Sequence, residues 1–123
     1  MQVKKVPAGF AVGYYCSYKT TTPTELATLS CGYADGYQRH LGNKGHVLIG
    51  GRHRPVVGRV SMNWITVDLG PDGGVRAGDE VVLIGAQGGE RIWADELARH
   101  CGTIPYEILT GISRQIERRY VGE

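Results

Sequence analysis

Tyrosine is the one side chain in excess where chemistry is possible: seven tyrosines stand against a single phenylalanine. Tyr14, Tyr15, Tyr18 and Tyr33 lie early in the chain, and Tyr14 and Tyr33 each directly follow a glycine. A phenol titrates near pH 10 in water, so a tyrosine acting as a base at neutral pH needs neighbours that lower its pKa. On pattern alone the favoured reading is packing, with rings against the core and hydroxyls pointing to water. Other chemistries lack their residues. No Gly-x-Ser-x-Gly or other hydrolytic triad pattern is present, and no glycine-rich phosphate loop precedes a helix. Cys16, Cys31 and Cys101 form no Cys-x-x-Cys pair, and His40, His46, His53 and His100 do not fall at zinc-ligand spacings. Free buried thiols and no metal are expected.

The elements that would hold these tyrosines are short. Nineteen glycines separate brief segments and form no linker, which predicts many short strands joined by tight turns. Residues 10–16 read as a first strand. Over 27–33 the odd positions Ala27, Leu29, Cys31 and Tyr33 are apolar or aromatic, the period-two pattern of a half-buried strand. The stretch 46–49, the pair Gly50-Gly51 and the stretch 52–60 predict a hairpin, with Pro55 placing the return strand at an edge or a bulge. Alternation resumes over 62–69, and 80–84 reads as a further strand, with loops at 70–74 and 85–90. One helix has both ends marked, over 94–101: Asp95 and Glu96 open it, Arg99 and His100 close it, and Gly102 stops it. A second short helix is expected at 105–109, with proline at its first position, and 118–121 would close the sheet. The fold class is mainly β, a β-barrel-like domain of short strands with one or two short helices.

Composition narrows the class further. With 123 residues, 41% hydrophobic and 21% charged, the chain is one domain (1–123) able to bury its own core. No apolar run approaches the roughly 20 residues that cross a bilayer, and the start Met-Gln-Val-Lys-Lys-Val-Pro has no apolar stretch of a secretory signal. The expected compartment is the cytoplasm, with no membrane partner. Net charge is +2 and the only basic knot, Arg52-His53-Arg54, falls at the predicted hairpin, so no nucleic-acid partner is expected.

Six motifs, in order, change the weight given to the tyrosines. Val12-Gly13-Tyr14-Tyr15-Cys16-Ser17-Tyr18 resembles the alanine racemase segment Val-Gly-Tyr-Gly-x-Thr-Tyr. Gly32-Tyr33-Ala34-Asp35-Gly36-Tyr37 matches that family's Gly-Tyr-Ala-Asp-Gly-aromatic stretch. Gly58-Arg59-Val60-Ser61-Met62, Gly78-Asp79-Glu80-Val81, Asp95-Glu96-Leu97-Ala98 and Tyr106-Glu107-Ile108-Leu109 follow in the family's order. The chain therefore resembles the C-terminal domain of alanine racemase over nearly its whole length. That domain normally follows a TIM barrel carrying the lysine that binds pyridoxal 5'-phosphate. Lys4, Lys5, Lys19 and Lys44 do not stand in the context of that lysine, and Met1-Gln2-Val3 reads like a cut at the domain boundary. No covalent cofactor is expected on this stretch itself.

The resemblance implies residue roles. Racemisation in the family uses two bases on opposite faces of the substrate, the barrel's lysine and a tyrosine from the neighbouring subunit, so the site is complete only in a homodimer. Tyr14 matches that tyrosine. Tyr33 matches the inner tyrosine that keeps the pocket alanine-sized. Arg39, Arg59 and Ile112 match positions of the access corridor, and Met62 matches the residue whose backbone amide holds the substrate carboxylate. Asp35 is expected to organise the turn at Gly36. Two positions depart from the family: Asn63 replaces a common aspartate, and Ser113-Arg114 stand where many members place a tyrosine on the cofactor phosphate. Arginine suits phosphate, so Ser113 and Arg114 are the phosphate candidates. The implied function is pyridoxal phosphate-dependent interconversion of L- and D-alanine for peptidoglycan. The alternatives are a racemase of broader specificity, such as for serine, or a non-catalytic β-barrel association module.

Overall fold

The structure, a computed structural model, describes residues 2–12, 18–71, 73–113 and 116. Among the described residues there are ten short strands: β1 (Gln2–Val6), β2 (Ala11–Val12), β3 (Tyr18–Lys19), β4 (Thr24–Leu29), β5 (His46–Ile49), β6 (Arg52–Val57), β7 (Ile65–Gly70), β8 (Val81–Val82), β9 (Gly85–Gln87) and β10 (Glu90–Ile92). Two helices follow, α1 (Ala94–Cys101) and α2 (Pro105–Thr110). Six strands form an antiparallel sheet in the order β1-β4-β7-β6-β5-β8, curled as a half-barrel. The mainly-β class expected from the glycine spacing is the one observed. Among the described residues β1 and β8 are the sheet's two edges, and the stretch 118–121 expected to close it lies outside them.

Alternation builds the core. In β7, Ile65, Val67 and Leu69 are buried while Thr66 and Asp68 are half-buried, as period two requires. These side chains join Ala27, Leu29, Leu48 and Ile49, and α1 and α2 close over them with Leu97, Ala98 and Ile108. A second cluster, Val6, Val12, Leu26 and Val57, packs separately with Phe10 and Tyr18. Gly50 and Gly51 turn β5 into β6 at φ 63° and 72°, the paired positive angles of a type I′ hairpin that residues with a Cβ resist.

Four expectations change in detail, and a fifth falls partly outside the described residues. The strand read at 27–33 ends at Leu29, where its ladder with β7 stops at Ile65, and Tyr33 enters a 3₁₀ turn, Tyr33–Asp35. The strand read at 10–16 is described only as β2, residues 13–17 lying outside the described set. Pro55 is not on an edge strand: β6 runs between β5 and β7. It is tolerated because the β6–β7 ladder covers only Val56 and Val57, so no partner there asks for the missing N–H. The loop read at 85–90 is a small hairpin, β9–β10, turning at Gly88 and Gly89, while the strand at 80–84 shortens to β8.

Arg54 is buried within this sheet. Its guanidinium donates to the carbonyl oxygens of Ile49 (3.2 Å), Leu69 (2.9 Å) and Gly73 (3.3 Å), tying the β5–β6 hairpin to the end of β7.

Tyr37 has no such compensation: its hydroxyl is buried with no hydrogen-bond partner among the described residues. Removing an unsatisfied hydroxyl recovers about 1 kcal/mol, so Tyr37→Phe should raise the midpoint of thermal unfolding by about 4 °C. Burial also pushes the Tyr37 phenol well above its ordinary value, and pushes the Cys31 thiol from 9.0 to about 11 with help from Asp35. Both groups are neutral when protonated, so the fold holds protons that the unfolded chain releases. Their contribution is present below pH 9 and lost as pH rises through about 11. Melting curves from pH 7 to 11 should show this alkaline loss, and Tyr37→Phe should make it shallower. An unchanged midpoint at pH 7 would mean that the hydroxyl is satisfied.

Candidate functional site

Two connections meet at one end of the sheet. After β4 the chain crosses past β7 and β6 to begin β5, and this crossover carries Tyr33 and Arg39. The connection from β6 to β7 carries Arg59 and Met62. Because Leu29 pairs with Ile65, the crossover leaves the sheet where the second connection enters it. The backbones then bond directly: Tyr33 N–H donates to the Ser61 carbonyl at 3.0 Å, and Ala34 N–H to the Met62 carbonyl at 2.9 Å. Ser61 N–H donates to the Trp64 carbonyl at 3.0 Å, a tight turn that carries Met62 and Asn63 outward.

A cleft of about 720 Å³ opens beside this junction. Tyr33, Arg39, Arg59 and Met62, all singled out in the sequence, line it together with Asn63. Tyr33 and Met62 are about half exposed, at 45% and 52%. The Arg39 guanidinium lies 5.6 Å from the centre of the Tyr33 ring, within cation–π range. The 3₁₀ turn Arg39–Leu41 is anchored by the buried Leu41, which leaves Arg39 outward. Among the described residues the lining contains two guanidinium groups and no carboxylate, so the cleft favours anions. Among the described residues no acceptor takes the Met62 N–H.

The other candidates lie elsewhere. Ile112 lines a separate cavity of about 520 Å³, together with Cys31, Asp35 and Tyr37. The Ser113 amide donates to the Asp35 carbonyl at 3.1 Å. Tyr14 and Arg114 lie outside the described residues. Asp35 organises its turn, as expected, by accepting the Gly32 N–H on its carboxylate at 3.0 Å. His40 and Trp64 also line the cleft and were not anticipated there. For Trp64 the signal was present, because the alternation over 62–69 put it on one face with Met62.

The chain matches the family described as alanine racemase, C-terminal domain, over residues 1–120. It is similar to the alanine racemase of Symbiobacterium thermophilum, 54% identical over 121 residues that make up 98% of this chain and 32% of that protein. Its structure resembles the alanine racemase of Streptomyces coelicolor A3(2), with a TM-score of 0.92 at 42% identity, covering 99% of this chain and 32% of that one. It also resembles the Bartonella henselae alanine racemase solved with covalently bound pyridoxal phosphate, with a TM-score of 0.85 at 39% identity, covering 98% of this chain and 33% of that one. The chain thus spans about a third of the length of the curated relatives it matches. A family match over almost every residue, with the same half-barrel and helices, shows that this chain belongs to the alanine racemase C-terminal domain family.

Proposed function

We propose that this chain is the C-terminal domain of a pyridoxal phosphate-dependent alanine racemase that interconverts L- and D-alanine and supplies D-alanine for peptidoglycan. The supporting observation is the convergence of Tyr33, Arg39, Arg59 and Met62 on one cleft that has no carboxylate among the described residues. The donors present fit an amino acid with pyridoxal phosphate beside it. Two guanidiniums and the Met62 amide suit a carboxylate, the resemblance gives Ser113 and Arg114 to the cofactor phosphate, and no lysine lines the cleft. In this reading the covalent link to the cofactor is made by the lysine of an N-terminal TIM barrel.

In this reading the Met62 amide holds the substrate carboxylate, Tyr33 limits the room beside the α-carbon, and Arg39 and Arg59 draw the anion inward. Tyr14, reaching from the second subunit of a homodimer, takes or returns the α-proton on the face opposite the barrel's lysine. The cofactor, when bound, supplies the electron sink for the carbanion. Among the described residues no helix is long and apolar enough to cross a membrane, and we place the enzyme in the cytoplasm.

Asn63, on the cleft where the family commonly has aspartate, favours a second reading of broader specificity that includes serine. Steady-state racemisation by the full-length protein carrying this chain, measured with alanine and with serine, decides between them. Alanine is expected to be preferred; a clear preference for serine would refute the assignment. The 123-residue chain alone, mixed with pyridoxal phosphate, is expected to show neither a visible Schiff-base band nor turnover.

A further inference from the structure

Gly32 is extended, at φ −149° and ψ −163°, a conformation open to any residue. Backbone freedom does not explain a glycine there, but crowding does. A Cβ at this position would run into the Ser61 carbonyl oxygen and stand 2.5 Å from the Met62 oxygen and 2.6 Å from its carbonyl carbon. All three atoms are backbone, so no side chain can swing away. The approach is held by the two hydrogen bonds from Tyr33 and Ala34 to Ser61 and Met62, and by the Asp35 carboxylate on the Gly32 N–H. The far end of the same loop is equally close to its neighbour. A Cβ on Gly36 would lie 2.5 Å from the Gly111 oxygen and 2.7 Å from the Ile112 Cα. The loop bearing Tyr33 is thus wedged between two backbones.

We infer that Gly32 is a positioning residue that determines specificity: the absent methyl sets the gap between the Tyr33 ring and the Met62 amide, and so the length of substrate side chain the pocket admits. The inference rests on the racemase reading above, in which those two groups face the substrate. A methyl at position 32 needs ordinary contact distance from the Ser61 and Met62 oxygens, which moves the two segments apart by about 1 Å, and a misplacement of that size costs about 10²-fold in rate.

The test compares kcat/KM for alanine and for 2-aminobutyrate, one methylene longer, in the full-length protein carrying this chain. Gly32→Ala should lower the value for alanine by about 10²-fold and shift the ratio toward 2-aminobutyrate by about tenfold or more, the range that one methylene commands. Asp35→Asn adds no volume and weakens the bond to the Gly32 N–H, so it should shift the ratio the same way by less. If Gly32→Ala does not fold, Asp35→Asn decides the matter. A substrate ratio unchanged in the folded variants, with both rates lowered together, would make Gly32 a packing residue and overturn the inference. An unsubstituted protein with no alanine turnover would overturn the racemase reading itself, and the inference with it.

Discussion

Tyr14→Phe in the full-length enzyme is expected to lower kcat by about 10²–10⁴-fold, the usual contribution of a general base. It should leave fold, dimer and bound cofactor intact, because it removes one hydroxyl and little volume. The expectation follows from the two-base scheme and from the Val12-Gly13-Tyr14 motif. A tyrosine that merely packs would change stability and leave kcat near its starting value. Direction gives the sharper reading. In the proposed scheme one face of the α-carbon is served by the barrel's lysine and the other by Tyr14. Exchange of the α-proton with heavy water should therefore persist for the enantiomer that lysine deprotonates and nearly vanish for the other. Deuterium incorporation measured separately from L- and D-alanine would show the asymmetry. Equal exchange from both at near wild-type rates would make Tyr14 a packing residue.

Arg54→Ala is expected to destabilise the fold by about 3 kcal/mol or more, from the three carbonyl acceptors it leaves without a donor. The guanidinium serves three carbonyls at once, and alanine strands those of Ile49, Leu69 and Gly73 without a donor inside the sheet. Each stranded acceptor costs about 1–3 kcal/mol unless water reaches it. Against a domain stability of about 5–15 kcal/mol, that is a large share. Arg54→Lys keeps the charge but has a single ammonium that cannot span the three acceptors, so it should fall between. Urea unfolding followed by circular dichroism should show the midpoint drop in the order Arg, Lys, Ala, with the slope unchanged. A midpoint for Arg54→Ala within error of the unsubstituted protein would mean that water replaces the guanidinium at little loss.

What could be read from the chain was whatever neighbours in sequence decide. The residues of α1 carry their own instructions: acids in the first turn, Arg99 and His100 in the last, and Gly102 at φ 68° to end it. The Gly50-Gly51 turn and the alternation through Ile65, Val67 and Leu69 are local in the same way. The cleft residues were partly legible as motifs, since Tyr33, Arg59 and Met62 each stand in a recognisable stretch, with Arg39 two residues beyond one, and all four share one cleft. Three features are settled by residues distant in the chain. Pro55 sits in an interior strand because the ladder with β7 stops at Val56, opposite Val67, and only the pairing of two distant segments sets that limit. The β9–β10 hairpin has strands of three residues, too short for a period to appear, so only their pairing and their packing on β5 define them. Gly32 looked like an ordinary member of a glycine-tyrosine pair. Its requirement comes from the Ser61 and Met62 carbonyls, which the crossover between β4 and β5 brings against it. Hydrophobic period, caps and turn residues act within a few positions of themselves, whereas a close approach between backbones exists only once the sheet order has set which loops share an end.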